Sequence, residues 1–264
     1  PTQLSGPSGE GYRTAALPTW VQEAPPAPAW TPPAGGKARR DELVDLQLRL
    51  AGPATQSFIR LRQVALDAST LRSVSEPQLN FNPSYQKVVL HHATVRRDGV
   101  VQDRLRQARI EPLRREQGLE QRMLTGMRTL LLVLPDVRVG DAVELAYTIE
   151  GENPIFEDQY ANTVDLAGDA ALDLLQLRID APTSQTLHFK PIGQLASAGM
   201  LPQRSELAGR QHWLLRRQHV APVVEEQGVP PWVKQYPALQ ISSWRDWGEL
   251  DAWAQRLFKP TEPD

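Results

Sequence analysis

Residues 87–105 read KVVLHHATVRRDGVVQDRL, and apolar and polar side chains alternate on both sides of Asp98-Gly99. An Asp-Gly pair between two alternating runs is a strong hairpin signal, because both residues of a primed turn need a positive φ that glycine and aspartate tolerate. The stretch therefore predicts two antiparallel strands joined by a tight turn at Asp98 and Gly99.

The same period of two recurs on both sides of this hairpin. Leu46, Leu48 and Leu50 alternate with Gln47 and Arg49, as on a strand with one buried face. Further strands are predicted at 58–64, 128–134, 142–149, 172–180, 186–190 and 211–217. About nine or more short strands without long helices between them predict a mainly β fold, an antiparallel β-sandwich-like domain over residues 43–230.

Prolines are concentrated at the start of the chain, where eight of the 23 fall within the first 33 residues. Proline fixes φ and has no amide hydrogen, so this segment forms neither a helix nor a central strand. Trp20 and Trp30 lie within it, and aromatic residues are scarce in disordered segments. We therefore predict a Pro-rich extended N-terminal arm, residues 1–42, that places Trp20 or Trp30 on the surface of the domain.

Two segments have a helical pattern. Residues 111–124 predict a weak, charge-rich helix that contains Gly118. Residues 231–264 predict a linker and a C-terminal amphipathic helix, with Ser243 and Asp246 as a capping box. The apolar face of that helix recurs at three- and four-residue steps: Trp244, Trp247, Leu250, Ala254, Leu257 and Phe258.

The composition excludes several classes of function. The 264 residues include no cysteine, so the chain has no thiol nucleophile, no thiolate zinc site and no disulfide. A net charge of −2 argues against general nucleic-acid binding, which needs a net basic surface. No apolar run approaches the ~20 residues of a membrane-spanning helix. The sequence therefore predicts neither a nucleic-acid partner nor a transmembrane segment.

Catalytic motifs are absent from the sequence: it has no Gly-x-Ser-x-Gly elbow, no His-Glu-x-x-His and no phosphate-binding loop. His91 and His92 are adjacent on a predicted strand. Neighbours on a regular strand point to opposite faces, so this pair is not expected to chelate one metal. We expect one of the two histidines to be buried or paired and the other to be exposed.

Acidic residues dominate the middle of the chain. No Lys, Arg or His occurs between Arg138 and Arg178, whereas nine acids do. Carboxylates are ligands for calcium, and two of them can form a glycosidase pair. We favour the interpretation that these acids lie on loops and solvent-facing strands beside basic neighbours. The weak metal candidates are Glu150, Glu152, Glu157 and Asp158.

Several runs of sequence carry a family resemblance. They are 85–92 (YQKVVLHH), 95–99 (VRRDG), 103–105 (DRL), 134–147 (LPDVRVGDAVELAY), 150–156 (EGENPIF) and 243–247 (SWRDW). In order and spacing they resemble the uncharacterised domain, a domain of unknown function, that precedes the transglutaminase-like core in exported bacterial proteins. The resemblance covers residues 43–258, nearly the whole chain after the N-terminal arm.

The resemblance implies that the catalytic Cys, His and Asp belong to a core that follows the C-terminal helix. No catalytic residue and no cofactor is therefore expected in this chain, which we predict is not an enzyme by itself. The family members are exported, in Gram-negative cells to the periplasm, and the start at Pro1 agrees with a removed signal peptide or with an engineered terminus. We interpret six of the matched residues as structural turn residues: Asp98, Gly99, Gly140, Asp141, Asn153 and Pro154.

Three functional hypotheses remain at this stage. The leading one is an accessory module that positions a substrate or partner for a transglutaminase-like core in cis. Alternatives are a glycan- or peptidoglycan-binding sandwich, which needs an exposed aromatic platform such as Trp213 or Trp232, and a carboxylate-based hydrolase with two converging acids. A protein, a peptide or a cell-wall glycan would be the ligand. The predicted interface consists of Trp232, Trp244, Trp247 and Trp253.

Overall fold

The structure is a computed structural model that describes residues 11–113, 126–194, 196–230 and 232–258. These residues form a mainly β fold with two α-helices, α1 (Ala68–Ser75) and α2 (Trp247–Leu257). The fifteen strands are β1 (Tyr12–Thr14), β2 (Arg39–Arg49), β3 (Gln56–Ala65), β4 (Gln78–Phe81), β5 (Lys87–Arg97), β6 (Val100–Asp103), β7 (Arg109–Leu113), β8 (Arg128–Val133), β9 (Ala142–Glu150), β10 (Ala161–Asp165), β11 (Ala171–Pro182), β12 (His188–Ile192), β13 (Gln203–Leu207), β14 (Arg210–Val220) and β15 (Ala238–Ser242).

Nine strands form one large sheet, in the order β1-β5-β9-β3-β2-β11-β14-β13 with β6 paired to β5. Two small sheets, β10-β15-β12 and β4-β8-β7, have three strands each. The mainly β prediction is confirmed, but the large sheet is mixed: β2 pairs with β11, and β1 with β5, in parallel. Eight other strands separate β2 from β11 along the chain, so alternation within either strand carries no information about this pairing.

Both small sheets pack against the same face of the large sheet. Leu177, Leu46, Ile59 and Tyr147 are register partners in one row across β11, β2, β3 and β9. Leu46 and Leu177 contact the apolar core that contains β15, whereas Tyr147 packs on the core that contains β8. Since partners in one row share a face, the fold is a sandwich of one large sheet against two small ones.

The opposite face of the large sheet is polar where the N-terminal arm covers it. Asp45, Gln47, Arg60 and Gln176 are all buried there, and we call these four residues the polar face. Gln22 of the arm exchanges hydrogen bonds with Gln47. β11 is therefore covered on both sides, which agrees with its nearly continuous burial.

Two helix predictions need correction. Arg109–Leu113 is a strand, so the helix predicted over 111–124 is wrong for 111–113, and its remainder lies outside the described residues. Asp246, not Ser243, is the N-cap of α2: its extended backbone places the carboxylate to accept from the Glu249 amide. Ser243 instead accepts from the Tyr160 amide. No helix in the described part of the chain is long and apolar enough to cross a membrane.

The histidine pair also differs from the prediction. The register of β5 against β9 shifts between Leu90 and His92, which is a β-bulge that sets two residues opposite one. His91 therefore contacts Thr148 at 2.8 Å, while His92 contacts Glu144 at 2.8 Å. Both histidines are partly buried and paired, so the expectation of one exposed ring was wrong.

Candidate interaction site

A groove of about 740 Å³ lies between α2 and the outer surface of the β10-β15-β12 sheet. We call it the aromatic groove, because Phe156, Trp244, Trp247 and Leu250 form its apolar wall. A second cavity of about 650 Å³ lies beside it and shares His188 and Arg245 with it. The size of the aromatic groove falls within the range of about 300–1,000 Å³ typical of ligand sites.

An aromatic cluster builds the inner end of this wall. The Phe156 ring stacks on Trp253 with centroids 5.4 Å apart and meets Trp244 edge-on at 5.9 Å. The Trp244 and Trp253 centroids are themselves 5.4 Å apart. Each such pair contributes about 0.5–1.5 kcal/mol beyond burial of its area. The cluster therefore fixes α2 against the turn that carries Phe156.

Local sequence positions both sides of the cluster. Asn153 accepts a hydrogen bond from the Ile155 amide, and Pro154 occupies the first position of the short 3₁₀ helix Pro154–Phe156, where no amide hydrogen is needed. On the other side, the Glu249 amide and then the Arg245 guanidinium hold the pKa of Asp246 below its usual range. An ionised cap at a helix N-terminus is favourable.

The floor of the aromatic groove is polar. Thr163, Gln240 and Lys190 are register partners across β10, β15 and β12. Ser242 and His188 form the next row on the same face. An aromatic wall above amide, hydroxyl and cationic groups can bind a polar ligand that also has an apolar face. The sequence did not identify this floor, because alternation in a five-residue strand occurs on any solvent-facing sheet.

The structure brings three of the four predicted interface tryptophans together. Trp244 and Trp253 lie in the cluster, and Trp247 lies at the rim of the groove with 83% of its surface exposed. Trp232 is 84% exposed but does not line the groove. Trp213 is only 5% exposed and packs in the core, so it offers no platform for a ligand.

The four candidate metal ligands do not form a metal site. Glu150 pairs with Arg13 at 2.8 Å, and Glu152 accepts from the Asn153 amide. Glu157 and Asp158 are exposed. Within the described ranges, no group of three or more His, Asp or Glu side chains is placed to hold a metal ion.

Other acids of the same stretch are neutralised by basic neighbours. Burial by itself raises the pKa of Glu144, but the hydrogen bond from His92 and the charge of Arg62 outweigh it and lower the pKa to about 2. Asp141 receives a bidentate contact from Arg97, at 2.8 and 2.7 Å, and this contact lowers its pKa. These carboxylates are ion-pair partners and are not poised for proton transfer.

The predicted turn residues lie in turns. Asp98 and Gly99 have φ of 49° and 78°, the geometry of a primed two-residue turn, between β5 and β6. Gly140 has φ of 89°, and the Asp141 carboxylate accepts from the Arg138 amide at 2.8 Å. None of these four residues lines the aromatic groove, whereas the other two predicted turn residues, Asn153 and Pro154, position its Phe156.

One family model matches the chain over residues 54–224, and its description is "Domain of Unknown Function with solved-structure structure (DUF3857)". No curated protein matches the sequence. Among solved structures, a "putative protease" from Parabacteroides distasonis ATCC 8503 superposes with a TM-score of 0.68 at 13% identity, over 79% of this chain and 41% of that one. This chain thus spans about two fifths of the Parabacteroides protein, and the likeness shows the fold alone.

Two further structures superpose less well. Legionella pneumophila aminopeptidase A, in complex with aspartic acid, gives a TM-score of 0.41 at 13% identity over 79% of this chain and 22% of its own. Native yeast LTA4 hydrolase gives 0.37 at 7% identity over 78% and 29%.

Proposed function

Because this chain belongs to the DUF3857 family of domains of unknown function, whose model matches residues 54–224, we propose that it is a non-catalytic module of an exported protein. In this proposal it positions a transglutaminase-like core, or the substrate of that core, through the aromatic groove. The observation that carries the proposal is the exposed aromatic rim of the groove. Large exposed apolar side chains in a cluster are typical of interaction sites.

The similar fold in the Parabacteroides protein supports a modular role. There the matched region is 41% of a longer chain that is described as a putative protease. A β module that makes up part of a hydrolytic protein is the arrangement that our proposal assigns to this chain. Phe258, which follows the last residue of α2, is also exposed, at 81%, although it does not line the groove.

The charge pairing supports a non-catalytic role for the described residues. A carboxylate-based hydrolase needs two acids that share one cleft and have different pKa values. Here Asp141 and Glu144 are each held by an arginine, and the pKa of each carboxyl is lowered. A carboxylate with a fixed cationic partner stays ionised and is a poor general acid.

The experiment compares this chain with the same chain extended by the residues that follow Asp264 in its gene. We expect the extension to encode Cys, His and Asp, and the chain alone to hydrolyse no peptide or amide substrate. Trp247→Ala should weaken association of the chain with the separately produced extension by about tenfold or more. Trp232→Ala is the matched control, since Trp232 is equally exposed outside the groove. Turnover by the chain alone, or equal effects of both variants, would refute the proposal.

A second candidate function is glycan binding at the same groove. The specific observation is that Trp247 stands beside the polar row of Thr163, Gln240 and Lys190, and a sugar ring can stack on an indole while its hydroxyls bond a polar floor. Calorimetric titration with soluble peptidoglycan fragments tests this. Saturable binding that is lost in Trp247→Ala favours the glycan. Absence of heat at millimolar ligand rejects it and leaves the accessory role.

Export to the periplasm is the corresponding proposal for location. It predicts a cleavable signal sequence upstream of Pro1 in the gene. Fractionation of the native cells, with antibody detection of this chain, should recover it with periplasmic markers. Recovery with cytoplasmic markers would contradict the proposal.

A further inference from the structure

The N-terminal arm contacts the large sheet in the way that a bound peptide contacts a receptor. The Gln22 amide donates to Gln47 Oε1 at 3.0 Å, and Gln47 Nε2 donates to the Gln22 carbonyl at 2.6 Å. Further along, His219 Nε2 donates to the Pro28 carbonyl at 3.0 Å. His91 Nδ1 lies 3.1 Å from the Ala15 carbonyl. These contacts bind the main chain of the arm and do not depend on its side chains.

Three side chains of the arm add specificity. Trp20 Nε1 donates to Gln56 at 2.8 Å. Glu23 pairs with Arg60 Nη1 at 2.5 Å. Trp30 Nε1 donates to the Asp173 carboxylate at 2.7 Å. The Trp30 indole also stacks on the His219 ring, with centroids 5.0 Å apart. The arm is therefore recognised at two tryptophans and one acid.

The surface under the arm is polar and incompletely satisfied. Asp45 is fully buried and accepts hydrogen bonds from Gln47 and Gln176. Arg60 Nε and Nη2 are buried without a hydrogen-bond partner among the described residues, and Nε lies 4.0 Å from Asp45. An unmade hydrogen bond of a buried donor costs about 1–3 kcal/mol. Glu23 of the arm is the closest carboxylate to this buried guanidinium, at 2.5 Å.

A pocket that is open to solvent also lies between the arm and the sheet. This cavity of about 230 Å³ lies between Pro25 and Pro26 of the arm and Leu43 and Leu174 of the sheet. The linker to β2 contains Gly35 and Gly36, both with positive φ. Between Trp20 and Trp30 the arm thus meets the sheet across a polar surface, and it joins β2 through a glycine-containing connection. At its start, β1 pairs with β5 and Tyr12 packs on an apolar core, so the exchange concerns the stretch that follows β1.

We propose that the polar face, with Gln56, His91, Asp173 and His219 around it, is a binding site for an extended proline-rich peptide that carries two tryptophans and a glutamate. In the structure the arm, which is covalently linked to the domain, occupies this site. An equivalent segment of another molecule can replace it there. The combination of main-chain hydrogen bonds with pockets for selected side chains is how many domains bind extended peptides. This inference is independent of the function proposed for the aromatic groove.

The test uses the full chain with a protease recognition sequence inserted between Pro33 and Ala34, which are both exposed. The chain is folded first and cleaved afterwards, so that the arm is held only by its contacts. A fluorescently labelled synthetic peptide of residues 11–33 is then added, and its anisotropy is followed together with the far-ultraviolet circular dichroism of the domain. We expect saturable exchange with a Kd below about 100 µM.

Substitutions are placed in the peptide, so that they leave the folding of the domain unchanged. Trp30→Ala should weaken binding about tenfold or more. Glu23→Gln should weaken it by up to about fivefold, because the ion pair with Arg60 loses its negative charge while the amide oxygen can still accept the hydrogen bond. Thr19→Ala is the control, because the Thr19 side chain is exposed, and it should bind unchanged. Three results would overturn the proposal: no exchange of the cleaved arm, loss of the fold when the arm leaves, or equal binding of all three variants.

Discussion

Replacing Glu144 by glutamine should make the stability of this domain less dependent on pH. The carboxylate is mostly buried between Arg62 and His92, and its pKa is lowered from 4.5 to about 2. Because the pKa is lower in the folded state than in the unfolded chain, this carboxylate stabilises the fold above pH 4.5 and ceases to do so as the pH falls to 2. The two values differ by about 2.5, and each pH unit is worth about 1.4 kcal/mol, so the contribution at pH 7 is about 3 kcal/mol.

Urea unfolding followed by tryptophan fluorescence measures this contribution. At pH 7, Glu144→Gln should lower the free energy of unfolding by up to about 3 kcal/mol, whereas at pH 3 the difference should shrink by about 2 kcal/mol, because most of the native carboxylate's advantage is lost there. Glu206→Gln is the control, since its ion pair with Arg204 is exposed and should change stability by less than about 1 kcal/mol at either pH. An equal loss at pH 3 and pH 7 for Glu144→Gln would refute the reasoning.

Three other changes test the packing, the backbone and the helix cap. Leu239→Ala, at a fully buried position, should lower the free energy of unfolding by about 2–5 kcal/mol. Leu207→Ala, at an exposed position, should change it by less than about 0.5 kcal/mol. Similar effects of the two variants would contradict the assigned core. Gly151→Ala should unfold at lower temperature than Gly99→Ala, because its Cβ would lie 2.0 Å from a carbonyl oxygen while the other meets nothing within 4 Å. Asp246→Ala should destabilise the first turn of α2, because the Glu249 amide loses its acceptor. The helical circular dichroism signal should fall, and an unchanged signal would argue against this N-cap.

Much of the local structure follows from short stretches of sequence. The period of two places strands at 87–96 and 142–149, where the structure has β5 and β9. The turn at Asp98 and Gly99 needs only the two φ values that these residues tolerate. Such features depend on neighbours a few residues away, so the sequence contains the necessary information.

The histidine pair and the α2 cap show where local patterns fail. A β-bulge at His91 and His92 changes which face each ring occupies, and no residue type is required at a bulge. Ser243 and Asp246 are both good caps by type, but Ser243 is engaged with the Tyr160 amide. In each case a contact with a distant strand decides between alternatives that are equal in the local sequence.

The aromatic groove depends on residues far apart in the chain. Trp244 and Trp253 are visible in the sequence as one cluster, but their stacking partner Phe156 lies about ninety residues earlier. The partners of Trp20 and Trp30 in the N-terminal arm are likewise unrecognisable without the sheet that places Gln56 and Asp173 beneath them.

Alternation, turn residues and the missing cysteine were enough to define a β-rich chain without a thiol nucleophile, because each is a property of one residue and its near neighbours. The parallel pairing of β2 with β11, the attachment of the arm to the polar face and the assembly of the groove were decided by tertiary structure. Each of them brings together side chains that are far apart in the sequence. Their contacts stabilise the protein only once the chain between them has folded, so local propensity does not encode them.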